Sequence, residues 1–175
     1  MKRRLLLLRH AKSSWDDPSL ADHDRPLSKR GRKAAALMRG LIRSGKLEPD
    51  LVLVSSARRT LETLDALGPW ERTPEIVVED ALYHAEPPAI FDLLRKVPDD
   101  ARAVLLIGHN PGLQEFAILL ANGDDADLAQ GLESFPTGAL AQFEIDASWT
   151  KIRTGAGKLT HFVTPRLLKA AVRGG

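Results

Sequence analysis

Val104-Leu105-Leu106-Ile107-Gly108-His109-Asn110-Pro111-Gly112 is the stretch that decides the fold. Its four uninterrupted apolar residues suit a strand buried on both faces. Asn110-Pro111 then reads as a cap and first helical position, and Leu113, Phe116, Ala117 and Leu120 recur at the spacing of one helical face. A buried strand running straight into a helix is the repeating half of a βαβ unit. Working outward, Leu5 to Leu8, Leu51 to Val54 and Ile76 to Val78 read as three further strands. Ser28 stands as N-cap of a helix that carries Ala34, Leu37, Met38, Leu41 and Ile42 as far as Ser44, with Gly45 after its end. Leu61, Leu64 and Leu67 mark a second helix stopping near Gly68-Pro69. Ile90, Phe91, Leu94 and Val97 mark a third between Pro87 and Val97. Four strands alternating with four helices imply an α/β fold, with right-handed crossovers and helices on both faces of a mainly parallel sheet. Beyond Asp124 the pattern changes. Leu140 to Ile145 and Leu159 to Val163 read as two strands joined by a polar loop, Thr150 to Lys158, in an antiparallel addition.

Composition narrows the function. A chain of 175 residues with 43% hydrophobic and 27% charged residues is expected to form one domain over 1–175 with a real core. Without cysteine it has no disulfide framework, thiolate zinc ligand or cysteine nucleophile, which fits a reducing cytoplasm. Leu5 to Leu8 is too short for a signal-peptide core, and no stretch approaches the ~20 apolar residues of a membrane span. The expectation is a soluble, cytoplasmic protein with no membrane partner. The net charge of +2 does not by itself imply a nucleic-acid partner, and with 5% aromatic residues stacking platforms are few, so none is expected.

In an open parallel sheet the ligand crevice lies outside the carboxyl ends of the strands. Here Arg9-His10 follows the first strand, Ser55 to Arg59 the second, Asp80, His84 and Glu86 the third, and Gly108-His109-Asn110 the fourth. Basic groups gathered at neighbouring strand ends are costly unless an anion sits between them. A phosphoryl group fits: arginine presents a planar fork to its oxygens, and helix-terminal N–H groups complete the cradle. A histidine beside such arginines stays neutral at pH 7, with one ring nitrogen free to attack phosphorus. The long irregular stretch from Asp16 to Arg25 lies close by, and long loops in compact domains are often functional.

Four motifs in order, Arg9-His10-Ala11, Arg25-Pro26-Leu27-Ser28 with Gly31, Ser55-Ser56-Ala57-Arg58-Arg59 with Thr63, and Gly108-His109-Asn110-Pro111-Gly112, resemble the histidine phosphatase superfamily, or phosphoglycerate mutase-like family. The short chain and the Arg-His-Ala form are most similar to the SixA-type phosphohistidine phosphatases. The resemblance runs from the first strand to Leu120, with Thr137-Gly138-Ala139-Leu140 also similar. It implies a three-layer αβα sandwich and a phosphatase that works without metal or cofactor. It makes His10 the nucleophile and sets Arg9, Arg59 and His109 around the phosphate, choosing Arg59 over Arg58 because it stands four residues before Thr63. Ser13 and Asn110 complete the expected substrate-binding set. Mutase-type relatives place an acidic proton donor where His84 stands here. The donor is then His84, or Glu86 two residues on, or neither. A phosphohistidine leaving group can take its proton near neutral pH without a strong acid, so this gap suits a P–N bond.

The implied substrate is a phosphorylated histidine-containing phosphotransfer protein, with phosphate or another oxyanion in the pocket. The alternatives are a phosphomonoesterase for small phosphoesters such as sugar phosphates and a non-catalytic phospholigand-binding protein on the same fold. A metalloenzyme is disfavoured because tight ligand spacings such as His-Glu-x-x-His do not occur.

Overall fold

A computed structural model describes residues 2–121, 123 and 126–174. Leu5, Leu6, Leu7 and Leu8 are all fully buried, as expected for the first strand, β1 (Arg3–Arg9). Alternation divides them: Leu5 and Leu7 enter one hydrophobic cluster, Leu6 and Leu8 another. The same division recurs in β2 (Leu51–Ser55) and β4 (Ala103–Gly108), so the sheet separates two cores. Helices α1 (Lys29–Ser44) and α2 (Arg58–Leu67) cover one face through Met38, Ile42, Leu64 and Leu67. The opposite face is covered by α3 (Pro87–Arg95) and α4 (Gly112–Leu120) through Ile90, Leu94, Phe116 and Leu120. This is the expected three-layer αβα arrangement.

Strand order is β3-β2-β4-β1-β5-β6, where β3 is Glu75–Glu79, β5 Leu140–Ile145 and β6 Gly157–Val163. The first four strands pair in parallel, and β5 and β6 add antiparallel, as expected of two strands joined by a loop. Edge position leaves Ile76 and Val78 of β3 half-exposed, while Val77 packs inward. Two further helices, α5 (Ala126–Leu132) and α6 (Pro165–Arg173), lie beyond those read from the sequence. The loop expected over Thr150 to Lys158 is present but shorter, running over residues 152–156 between a 3-10 turn at Trp149–Lys151 and the start of β6.

Ser28 does cap α1, its hydroxyl accepting the Gly31 N–H. The Asn110-Pro111 reading needs correction. Helix α4 begins at Gly112 with Pro111 in the cap position, and the Asn110 amide instead donates to the Phe135 carbonyl (2.9 Å) and the Gln114 side chain (3.3 Å). Two motif glycines owe their identity to close approach. A Cβ on Gly31 would lie 2.1 Å from the Lys12 carbonyl oxygen, and one on Gly112 1.7 Å from that of Ala85.

Candidate active site

The parallel register sets Arg9 opposite Gly108, so the next residues on the two strands, His10 and His109, emerge side by side. Their ring centroids are 5.2 Å apart, and the His10 N–H donates to the Gly108 carbonyl. The Gly138 N–H donates to the carbonyls of both Arg9 and His10, which ties the end of β1 to the segment before β5. Across the crevice, the Thr63 hydroxyl accepts the Ala11 N–H and donates to the Arg59 carbonyl. That double bond clamps α2 against the turn carrying His10 and explains the four-residue spacing between Arg59 and Thr63.

The crevice, about 490 Å³, is lined by Arg9, His10, Ser13, Arg59, His84, His109 and Asn110, all singled out in the sequence. Glu86, the alternative donor, is not on its wall; it stands at the N-cap of α3. Arg58 points outward and pairs with Glu62 at 2.9 Å, whereas Arg59 is buried.

His10 Nδ1 lies 2.7 Å from the Ala11 carbonyl oxygen, which can only accept, so Nδ1 carries the proton and Nε2 keeps its lone pair. Burial above all lowers this imidazole to about 4, against the pull of that backbone bond, and Arg59, Arg9 and Arg25 act in the same direction as burial. His109 falls to about 3 through burial, with His10, Arg59 and His84 adding to it. Its Nε2 meets the hydroxyl of fully buried Ser55 at 2.7 Å. Among the described residues Nε2 is the one acceptor within reach of the buried Ser55 hydroxyl, whose oxygen accepts the Ala57 N–H, so the hydroxyl proton goes to Nε2 and the His109 proton sits on Nδ1. His109 Nδ1 is buried without a partner, as is Arg9 Nε. Buried donors left open in this way are what an oxyanion would satisfy.

The outer wall holds groups that sequence reasoning did not assign. Asp22 accepts from Arg59 Nη2 and Arg25 Nη1, each at 3.0 Å, and from the Tyr83 hydroxyl at 2.6 Å. The Tyr83 bond first, then the two arginines, hold its carboxyl well below the usual carboxylate range. Arg25 also donates to the Ser13 hydroxyl and the Ser14 carbonyl, and its guanidinium stacks 3.2 Å from the centre of the exposed Trp15 ring. The signals were Arg25 in the second motif and the long loop ending there. Nothing in the sequence states which arginines Asp22 would meet.

A neutral imidazole with a free nitrogen, set among buried, half-satisfied cationic donors at the carboxyl ends of parallel strands, is the equipment of phosphoryl transfer through histidine. Residues 5–84 match the Histidine phosphatase superfamily (branch 1). The chain is 36% identical to an uncharacterized protein of Mycobacterium tuberculosis over 162 residues, 91% of this chain and all of the other. Among solved structures, the "Putative Phosphohistidine Phosphatase SixA" of Nakamurella multipartitia matches with a TM-score of 0.83 at 27% identity, covering 94% of this chain and 97% of that one. The Agrobacterium tumefaciens protein of the same description gives 0.79 at 29% identity, covering 93% and 98%. The chain belongs to the histidine phosphatase superfamily and is a phosphatase of the phosphoglycerate mutase-like fold. Among the described residues, no helix is long and apolar enough to cross a membrane.

Proposed function

We propose that this phosphatase hydrolyses phosphohistidine on a protein through a covalent phosphohistidine at His10. The observation that carries the reading is the state of Asp22. It is the one carboxylate lining the crevice among the described residues, and Tyr83 and two arginines hold it ionised. No carboxylic acid is therefore at hand to protonate an alkoxide. A phosphohistidine substrate needs none, because its leaving imidazole takes a proton near neutral pH.

In the first step His10 Nε2 attacks phosphorus, the N–P bond to the enzyme forms, and the substrate's P–N bond breaks as its imidazole leaves neutral, carrying a proton taken from solvent. In the second, water attacks the phosphoryl group, the bond to His10 Nε2 breaks, and inorganic phosphate leaves with the neutral enzyme restored. Arg9, Arg59 and the His109 Nδ1–H stabilise the charge on the transferring oxygens. Ser13, His84 and Asn110 line the pocket.

The test compares kcat/KM for a phosphorylated histidine-containing phosphotransfer protein with that for sugar phosphates. We expect the phosphoprotein to be favoured by at least ~10²-fold, about 2.7 kcal/mol of transition-state stabilisation. A sugar phosphate processed as efficiently would move the function to small phosphoesters, and no turnover of either would leave a phospholigand-binding protein.

A further inference from the structure

The crevice is not the largest concavity of the molecule. Next to it, sharing Lys12 and Thr137, opens a groove of about 600 Å³. Its apolar surface comes from Phe162, Pro165 and Leu167, the last 57% exposed. Its charge is of one sign. Lys12, Arg30 and Arg166 line it, and a second hollow continues along α1 and α6 past Lys169 and Arg173. Arg166, Lys169 and Arg173 fall three and four residues apart, on one stripe of α6. Among the described residues none of these five cations enters an ion pair, and no carboxylate lines either hollow.

Two of the five are placed unfavourably in the free protein. Arg30 and Arg166 sit in the first turns of α1 and α6, where the helix dipole already presents positive charge, and neither first turn contains an acidic residue. Two helix N-termini and three cations unpaired among the described residues, Lys12, Arg30 and Arg166, therefore line the groove beside the catalytic crevice, Lys169 and Arg173 extend the positive field along α6, and an acidic partner is its electrostatic complement. The apolar surface and the scarcity of aromatic platforms suit a protein better than a nucleic acid, whose bases require stacking.

We infer that this groove docks an acidic, partly apolar face of the phosphorylated protein whose modified side chain enters the crevice. The inference rests on the proposed function and extends it, because it names where the rest of the substrate lies. Remote contacts of this kind supply the binding energy that a shallow crevice lacks.

The experiment is a charge reversal on exposed residues that make no side-chain bond among the described residues, Arg166→Glu with Lys169→Glu and Arg173→Glu, with the three Lys/Arg exchanges at the same positions as control. At ~0.15 M salt, where the Debye length is about 8 Å, kcat/KM for an acidic phosphotransfer protein should fall at least tenfold, chiefly through KM. For phosphoramidate, a small P–N substrate, it should change less than about threefold, and the Lys/Arg exchange should behave as wild type. An equal fall on both substrates, or no fall on the phosphoprotein, would overturn the groove. Calorimetric titration with the unphosphorylated phosphotransfer domain separates the two proposals. Binding that the reversal abolishes supports the groove even if the phosphoprotein proves not to be a substrate, and no binding by wild type overturns it. Tighter binding of an oligonucleotide than of the acidic domain at the same salt would overturn the choice of partner.

Discussion

The inner and outer walls of the crevice are built by different physics. His10, His109 and Ser55 stand at strand ends, buried and fixed by backbone bonds and sheet register. Asp22, Arg25, Tyr83 and Trp15 stand on connecting segments, held by ion pairs and stacking on a partly exposed surface. In the proposed mechanism the inner wall sets the protonation state needed to attack phosphorus. The outer wall sets the orientation of the arginine that would receive the charge. Loss of an inner group should therefore abolish chemistry, whereas loss of an outer one should blunt it.

His10→Ala should lower kcat by at least about 10³-fold while leaving the fold intact. Steady-state rates beside a melting curve check this, and substantial residual activity would break the distinction between walls. Arg59→Ala comes next, with a loss of about 10² to 10³-fold, against less than about threefold for Arg58→Ala, which removes only an exposed pair with Glu62. Equal losses would mean that the inward orientation of Arg59 does not matter. Asp22→Ala should reduce kcat about tenfold with KM changed less than about threefold, because Asp22 orients Arg59 and transfers no proton. Partial rescue by Asp22→Asn, which still offers an oxygen to Arg59, separates orientation from charge. A loss as large as that of His10→Ala would make Asp22 part of the chemistry.

The inner wall also makes stability depend on pH. In an unfolded chain histidine titrates near ~6.5, but the folded protein keeps His10 neutral to about 4 and His109 to about 3. Between these values the unfolded state binds more protons. Stability is thus fully present above about pH 6.5 and declines as pH falls toward 4, by about 1 kcal/mol per pH unit for each group. Denaturant midpoints between pH 7.5 and 4.5 should follow that slope, and His109→Gln should flatten it. A wild-type midpoint unchanged over this range would contradict the burial of the pair.

The two walls also differ in how far they could be read from the chain. Leu5 to Leu8, Leu51 to Val54 and Val104 to Ile107 declare their strands by unbroken apolar runs, and strand ends in a parallel sheet are where ligands bind. His10 and His109 were legible for that reason. Arg59 was chosen over Arg58 only by the spacing to Thr63 that the family resemblance carries, and the structure supplies its reason, since one helical turn carries both Thr63 contacts. Asp22 was not, because its three partners lie 3, 37 and 61 residues away and no periodicity connects them. Asn110 shows the converse failure. Its side chain has the right chemistry for a cap, but the Phe135 carbonyl, 25 residues on, takes its amide instead. Helix α6 escaped notice although Thr164-Pro165 carries a start signal, because none of its nine residues is buried and its apolar side meets a core only through the partly buried Leu168.

Trapping the intermediate tests the central claim most directly. Wild-type enzyme mixed with a substrate carrying ³²P in its phosphoryl group and quenched within one turnover should yield an acid-labile, base-stable phosphoenzyme, with the label on His10 and absent from His10→Ala. Label that persists in His10→Ala, or a wild-type enzyme that turns over without ever becoming labelled, would contradict it.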